Sequence, residues 1–311
     1  MGNVIEIDAE KCTRCGACFE VCPSETIGLR NIEGKKEAFE KLPDTCIQCG
    51  HCVAVCEAKA ISNRLLSDED FEELEPVEIT SHSMRNLLLA RRSVRVFRKD
   101  PVPDEVVGQL IEVGAHAGTG GNAQSVGFTV VKDADLLDRL EIVTQDVLWN
   151  SLARLFDVKW LVPLLRLKFG SERTEQIIRY RDSMRRKREN DEMAGWIFRG
   201  APVVILAHDV KNNEMGQVNC AIAIRNIEIM AMTLELGSCW AGFFIMAANQ
   251  KPGTINPMIQ LDENRRVWGA LMIGHPRYKY AYKLPRATRS ITVPLYENPQ
   301  RHRSGKTRAT R

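Results

Sequence analysis

The sequence predicts an α+β protein in two parts: a small module held by metal ligation, and a larger domain mixing short strands with helices. Three observations point there. Eight of the ten cysteines fall in two copies of one pattern near the N-terminus. The charge reverses after residue 83, with 8 Lys and Arg against 17 Asp and Glu before it and 35 against 23 beyond it. Past that point, brief apolar and β-branched runs alternate with longer stretches of helical period.

The cysteines come first in the chain. Cys12, Cys15, Cys18 and Cys22 stand in CTRCGACFEVCP, and Cys46, Cys49, Cys52 and Cys56 stand in CIQCGHCVAVCE. A constant offset of 34 residues relates the two sets, and it also carries Gly16 to Gly50, Val21 to Val55 and Ile27 to Ile61. The spacing C-x2-C-x2-C-x3-C resembles that of bacterial ferredoxins, in which three cysteines hold one [4Fe–4S] cluster and the fourth reaches the other. It therefore assigns Cys12, Cys15, Cys18 and Cys56 to one cluster, and Cys46, Cys49, Cys52 and Cys22 to a second. Two-residue gaps wrap the chain around a cube and place three thiolates at three corners. Zinc also uses C-x2-C pairs, but four ligands per ion leave the third cysteine and the crossed fourth without a role. Residues 1–64 form this module, whose small core makes folding depend on its metal.

Bulk properties narrow the remainder. A chain of 311 residues, 44% hydrophobic and 27% charged, has the balance of a globular protein with one sizeable core besides the module. The start, MGNVIEIDAEKC, lacks the basic and apolar segments of a secretory signal, and no run of about 18 apolar residues suggests a membrane span. Reduced thiolates imply a reducing cytoplasm. Cys220 and Cys239 lie outside the repeat and read as small buried hydrophobes. An acidic front joined to a basic remainder implies electrostatic attraction between them. No nucleic-acid-binding motif or aromatic-and-basic stripe accompanies the basic charge.

Residues 65–83 hold seven acids and a proline and read as a solvated, extended linker or short acidic helix. A short apolar helix then runs from Met84 into Arg91, Arg92, Ser93 and Arg95. Pro103 opens the next helix, with Asp104 and Glu105 in its first turn and Val106, Leu110 and Val113 on its apolar face. Residues 126–133 and 265–276 read as strands, and the almost wholly apolar residues 201–209 as a central strand. Residues 134–198 form a mostly helical insertion in which Arg166–Arg188 holds nine Arg or Lys. It is either a docking face for an acidic electron carrier or a solvated helix face. Residues 217–237 are apolar all round and predict a core helix stopped by Gly237, with CWAGFF following as a short strand or turn. Residues 297–311 are a basic tail. GTGGNA at 118–123 matches G-x-G-x-x-A, but a helix precedes it and a strand follows, the reverse of the dinucleotide-binding arrangement.

Five segments in this order, ARRSVRVFRKDPVP, AHAGTGGNAQSVGFTVV, RGAPVVILAHD, ELGSCWAGFF and GALMIGHP, resemble the flavin-dependent nitroreductase family. The resemblance implies an FMN-binding domain over residues 84–296, with a central, mainly antiparallel sheet flanked by helices. It implies that Arg91, Arg92, Ser93 and Arg95 bind the FMN phosphate, which suits guanidinium forks and a hydroxyl. Arg286 and Arg289 would complete that site. Asn122 and Gln124 would bond the polar edge of the isoalloxazine ring, and Ala241 and Gly242 would present backbone N–H groups to it. Ser125 and Val126 stand where the family usually has proline and tryptophan, and Glu57 follows Cys56 where ferredoxins usually have proline.

The expected protein is a homodimer with FMN at the subunit interface, in a combination of domains common in anaerobes. Electrons from a ferredoxin-like donor or NAD(P)H would pass through the clusters to FMN and on to an electron-poor organic acceptor. No side-chain acid or base is assigned; His116, His208 and His275 read as structural, and Trp240 as packing. Two alternatives share these features: another reductase of the same fold, such as a dehalogenase or ene-type reductase, and an electron-transfer or redox-sensing adaptor without a small-molecule substrate.

Overall fold

In the computed structural model, which describes residues 3–153 and 158–286, the cysteine repeat is also a repeat of conformation. Helix α1 (Ala17–Glu20) and helix α2 (His51–Ala54) are related by the same offset as the thiols. Each follows a glycine in the left-handed region, Gly16 at φ 82° and Gly50 at φ 71°, where a side chain would be strained. Arg14 and Gln48, two residues earlier, are left-handed as well. Strand β1 (Ile5–Ile7) pairs antiparallel with β4 (Ile61–Asn63), and β2 (Ile27–Ile32) with β3 (Lys35–Glu40). The core enclosed is small: Ile5, Ile27, Ala38, Cys52 and Ile61.

The acidic segment is not wholly extended. Ser67 caps a 3-10 turn over Asp68–Asp70, and Leu66 and Phe71 fold back onto the second cysteine motif. A Cβ added at Gly50 would stand 3.1 Å from the Phe71 ring. Only after Phe71 does the chain run without regular structure to Thr80, which caps helix α3 (Ser81–Ala90) through Ser83 N–H.

The larger domain is built on an antiparallel four-stranded sheet in the order β5-β6-β8-β7, comprising β5 (Gly127–Val131), β6 (Val203–Val210), β7 (Gly237–Trp240) and β8 (Arg265–Gly274). Strand β6 is buried along all but its last residue, as expected of a central strand covered on both faces. Val203, Ile205 and Ala207 point to one layer, formed by α4 (Asp104–Ala115) and α8 (Gly216–Thr233). Val204 and Leu206 point to the other, formed by α5 (Ala134–Leu148), α9 (Gly242–Gln250) and α10 (Pro252–Met258). The period-two alternation of a strand thus divides one apolar run between two cores. Helices α6 (Val162–Phe169) and α7 (Ser171–Glu189) complete the insertion. Leu137, Leu140, Leu148 and Met184 lie in the core, so the insertion is built into the domain.

One helix boundary differs from expectation. Helix α8 ends at Thr233, with Leu236 N–H bonded to Ala231 C=O and Glu235 N–H to Met232 C=O. This is a Schellman closure, and Glu235 occupies its left-handed position at φ 57°. Gly237, the expected stop, instead opens β7. A Cβ there would come within 2.6 Å of Val94, so the glycine permits close approach of the 93–97 segment.

The described residues contain no helix long and apolar enough to cross a membrane. Residues 1–279 form one compact unit and residues 280–311 a second. The described part of the second, 280–286, has no helix or strand. Arg286 belongs to it; Arg289 and the basic tail lie outside the described residues.

Candidate functional site

The eight repeat thiols gather into two sets. Cys12, Cys15, Cys18 and Cys56 line a hollow of about 390 Å³ including its open mouth, and Cys22, Cys46, Cys49 and Cys52 line another of about 300 Å³ on the same measure. Each set takes three cysteines from one motif and one from the other. Among the described residues, no three His, Cys, Asp or Glu groups close on a single-ion site. Four thiols converging from both motifs fit a polynuclear cluster. Burial pushes the Cys52 thiol up to about 11 and raises Cys18, whose neighbouring thiolates oppose its ionisation further. Ligation therefore has to displace protons from these groups.

A further concavity, of about 870 Å³ including its open mouth, lies at the β7 edge of the sheet. Ser93, Arg95, Ala241 and Gly242 line it together. Ser93 is fixed by its bridge to Ser238, and Val94 N–H donates to Ser238 C=O at 2.9 Å. Gly242 opens α9, whose first N–H groups have no acceptor within the helix. A Cβ added there meets nothing within 4 Å. This is a place where backbone faces open space beside an arginine and a hydroxyl, which suits a flat, phosphate-bearing cofactor. The Ala241 N–H is already used, donating to Ala270 C=O at 2.8 Å, so of the two only the Gly242 end leaves a backbone N–H without a helical acceptor.

Other expected contacts lie elsewhere. Arg91 approaches the buried Glu228 carboxylate of α8 at 3.8 Å, and Arg225 meets the same group at 3.2 Å. Arg92 donates to the carbonyls of Leu89 and Arg91 at the end of α3. Asn122 and Gln124 sit before β5, at the edge of the sheet opposite the cleft. Their turn is bonded to the α8 layer through Gly120 N–H and Asn219 Oδ1, at 3.1 Å. The cleft instead includes Cys239, Ala241 and Met272 of the α5–α9 core. With three strand spacings from β5 to β7, the separation is about 14 Å before side chains are added. The Asn122 amide donates to Ile47 C=O at 3.0 Å and Gln48 C=O at 2.9 Å, and its oxygen accepts from Gln124.

The cleft also holds residues that the sequence did not assign to it, among them Trp240, expected to pack but lying part-exposed on its wall. Arg199, left-handed at φ 58°, joins Arg95 on its wall. Burial raises the Cys239 thiol there, and Arg95 and Arg199 pull it the other way. Tyr180, Trp196, Trp240 and Phe243 form an aromatic side. Trp196 stacks on Phe243 at 4.9 Å, and Tyr180 meets Phe243 edge-on at 5.5 Å. The buried Glu141 carboxylate of α5 organises this side, accepting from the N–H groups of Trp196, Ile197 and Phe198. A Trp and an Arg held between two glycines were the available sequence signal in AGWIFRG.

Behind the Asn122 turn lies a buried polar network. Asp209 is fully buried and accepts from Ser125 at 3.0 Å and Asn213 at 3.1 Å. Arg265 donates to His208 Nδ1 at 2.8 Å, leaving the ring proton on Nε2, which faces Thr129 Oγ1 at 3.3 Å. Burial and the Arg265 charge pull His208 down to about 4.

The profile described as the nitroreductase family matches residues 88–275, and that of a 4Fe-4S dicluster domain matches residues 4–57. A nitroreductase with bound FMN from Bacteroides fragilis is 20% identical over 69% of this chain and 98% of its own, with a TM-score of 0.51. One from Desulfitobacterium hafniense, also with bound FMN, is 19% identical over 68% and 97%, with a TM-score of 0.50. The likeness to both is one of fold. Among curated proteins, iodotyrosine deiodinase 1 of Rattus norvegicus is 29% identical over 110 residues, 35% of this chain and 38% of that protein. Iodotyrosine deiodinase of Danio rerio is 34% identical over 89 residues, 28% and 30% of the two. The chain thus spans less than two fifths of either deiodinase.

Proposed function

This chain belongs to the nitroreductase family, and from that premise we propose a homodimeric FMN and iron–sulfur oxidoreductase that reduces an electron-poor aromatic acceptor. Its electrons come from a ferredoxin-like carrier or NAD(P)H in a reducing cytoplasm. When bound, the clusters supply one-electron transfer and FMN supplies reduction of the acceptor. The protein's own residues bind, orient and shield. Ser93 and Arg95, with Arg199 beside them, hold the phosphate by charge-assisted hydrogen bonds. The first N–H groups of α9 face the ring, and Trp196, Phe243 and Tyr180 offer the acceptor a flat apolar wall. The two thiol quartets hold two [4Fe–4S] clusters.

The observation that carries this reading is the cleft in which Ser93, Arg95 and Gly242 converge beside stacked aromatics, in the same chain as two crossed thiol quartets. Homodimerisation is supported by the division of the expected flavin contacts between opposite edges of the sheet. One chain supplies a cleft and a distant turn in which Asn122 is engaged with Ile47 and Gln48 while Gln124 is exposed, and a second copy's Gln124 completes the cleft. Anaerobic purification followed by flavin and iron analysis tests the proposal. We expect one FMN and about eight irons per chain, and the absence of flavin overturns it. Arg95→Ala should lose FMN while retaining iron.

A second reading is favoured by the deiodinase relatives together with the aromatic wall: reductive removal of halide from a haloaromatic acceptor. Halide release from an iodophenol under single-turnover conditions distinguishes it from reduction of a nitroaromatic.

A further inference from the structure

We propose that each chain's cysteine module delivers electrons to the flavin cleft of the second copy rather than to its own. This rests on the homodimeric flavoprotein reading above and adds a direction to it.

The first observation is how the module is held. Both amide hydrogens of Asn122 are used on Ile47 C=O and Gln48 C=O, at 3.0 and 2.9 Å. Those carbonyls belong to the two residues between Cys46 and Cys49. The side chain therefore grips the loop that carries two ligands of one thiol quartet. Asn122 itself is left-handed at φ 54°, a conformation asparagine tolerates better than most residues, and this aims the amide outward from the turn.

The second observation is that the platform under the grip is rigid. Gly120 N–H is tied to the buried Asn219, and Ser125 is tied to the fully buried Asp209. A buried carboxylate that accepts several hydrogen bonds is costly to rearrange. The turn and the Cys46–Cys49 loop thus behave as one piece.

The third is where that piece lies. It sits outside β5, on the side of the α8 layer, whereas the chain's own cleft lies beyond β7 on the side of the α5–α9 core. About 14 Å of sheet separates them, and electron-transfer rates fall exponentially with distance. The turn that completes a second copy's cleft brings the gripped loop with it. The quartet Cys22, Cys46, Cys49 and Cys52 is then the inner station, next to the other chain's flavin. The quartet Cys12, Cys15, Cys18 and Cys56, in which Cys15 is exposed, is the outer one and meets the carrier. The balance closes: an external low-potential carrier is oxidised, each cluster passes one electron at a time, and a flavin takes up two, with protons from solvent.

Mixed dimers test the proposal. One chain carries Cys49→Ser, and the other carries Ser93→Ala with Arg95→Ala; different tags isolate the heterodimer. It holds one flavin and one intact module on opposite chains. Reduced ferredoxin is the probe, no acceptor is present, and loss of flavin absorbance is followed. Delivery between chains predicts bleaching within about threefold of the unmodified rate. The reciprocal heterodimer, with all three substitutions in one chain and none in the other, should bleach at least tenfold more slowly. The opposite ranking, or equal rates, overturns the inference. Should Cys49→Ser prevent the module from folding, Cys15→Ser at the exposed thiol interrupts the outer quartet instead, with the same two expectations. A second readout needs no electron transfer. In the intact holoprotein, Asn122→Asp replaces both donors by an oxygen that the two carbonyls repel, and hydrogen exchange in residues 46–50 should quicken at least tenfold. Unchanged exchange overturns the grip. Flavin content, iron content and native mass of the unmodified protein are measured first. A monomer or a flavin-free chain overturns the functional reading and this inference together. A fully loaded dimer with the wrong ranking overturns this inference alone.

Discussion

The cysteine module and the flavin-domain cleft are organised by opposite means. The module's eight repeat thiols fall within 45 consecutive residues, Cys12 to Cys56, and the same backbone turn is used twice. Its apolar core is five buried residues. The cleft takes residues from segments as distant as Ser93 and Met272, and the apolar core of α5, α9 and α10 lies behind it. Local spacing positions ligands where a metal will supply the energy; remote packing positions them where the chain itself must.

The largest expected effect breaks the two apart. Iron removal by chelation should unfold residues 1–64 while the larger domain stays folded, because ligation free energy is folding free energy for a module with so small a core. Limited proteolysis should then cleave before Thr80 and leave a fragment from α3 onward. Equal protection of both parts without iron would show that the five-residue core suffices.

The next effect concerns what the larger domain relies on instead. His208 is neutral when folded, held down to about 4 by burial and by Arg265. An unfolded histidine binds its proton near pH 6.5. Between those values the unfolded state binds more protons, so stability is full above pH 6.5 and falls as pH drops through 4. The loss approaches about 3 kcal/mol. Thermal unfolding of the larger domain from pH 7 to 4 should follow this slope, and His208→Gln should flatten it.

These regions also differ in how much the sequence disclosed. The crossed thiol sets were legible because ligand spacing is local and chemically restrictive. Strands at 127–131, 203–210 and 265–274 were legible because β-branched runs between turn residues leave few alternatives. The cleft was half legible. Ser93, Arg95 and Gly242 lie in it, but Arg91 is drawn away by a buried Glu228 that no local pattern announces. Arg199 and Trp196 reach the wall only because Glu141, more than fifty positions earlier, gathers three N–H groups of their turn. Asn122 was recognisable as important, whereas its hold on Ile47 and Gln48 depends on how module and domain meet.

Arg199 sharpens the comparison at the cleft. Its guanidinium shares a wall with Arg95, and a charge-assisted contact to a phosphate contributes about 2 kcal/mol. Arg199→Ala should weaken FMN binding by about 30-fold, measured by flavin titration of the stripped protein, with iron content unchanged. An unaltered affinity would move the phosphate away from this wall.

The smallest effect distinguishes backbone from ligand as the source of stability. Glu235 closes α8 in a left-handed conformation that costs a side-chain-bearing residue about 1 kcal/mol relative to glycine. Glycine also loses more freedom on folding, so Glu235→Gly should raise the larger domain's stability by somewhat less, about 0.5 kcal/mol. Denaturant midpoints of the iron-free protein would measure the gain without interference from the module. The same substitution should leave iron retention unchanged, because α8 packs against the sheet and not against the thiols. A loss of iron would mean that the end of α8 supports the module's docking, and the two regions would then be less independent than their construction indicates.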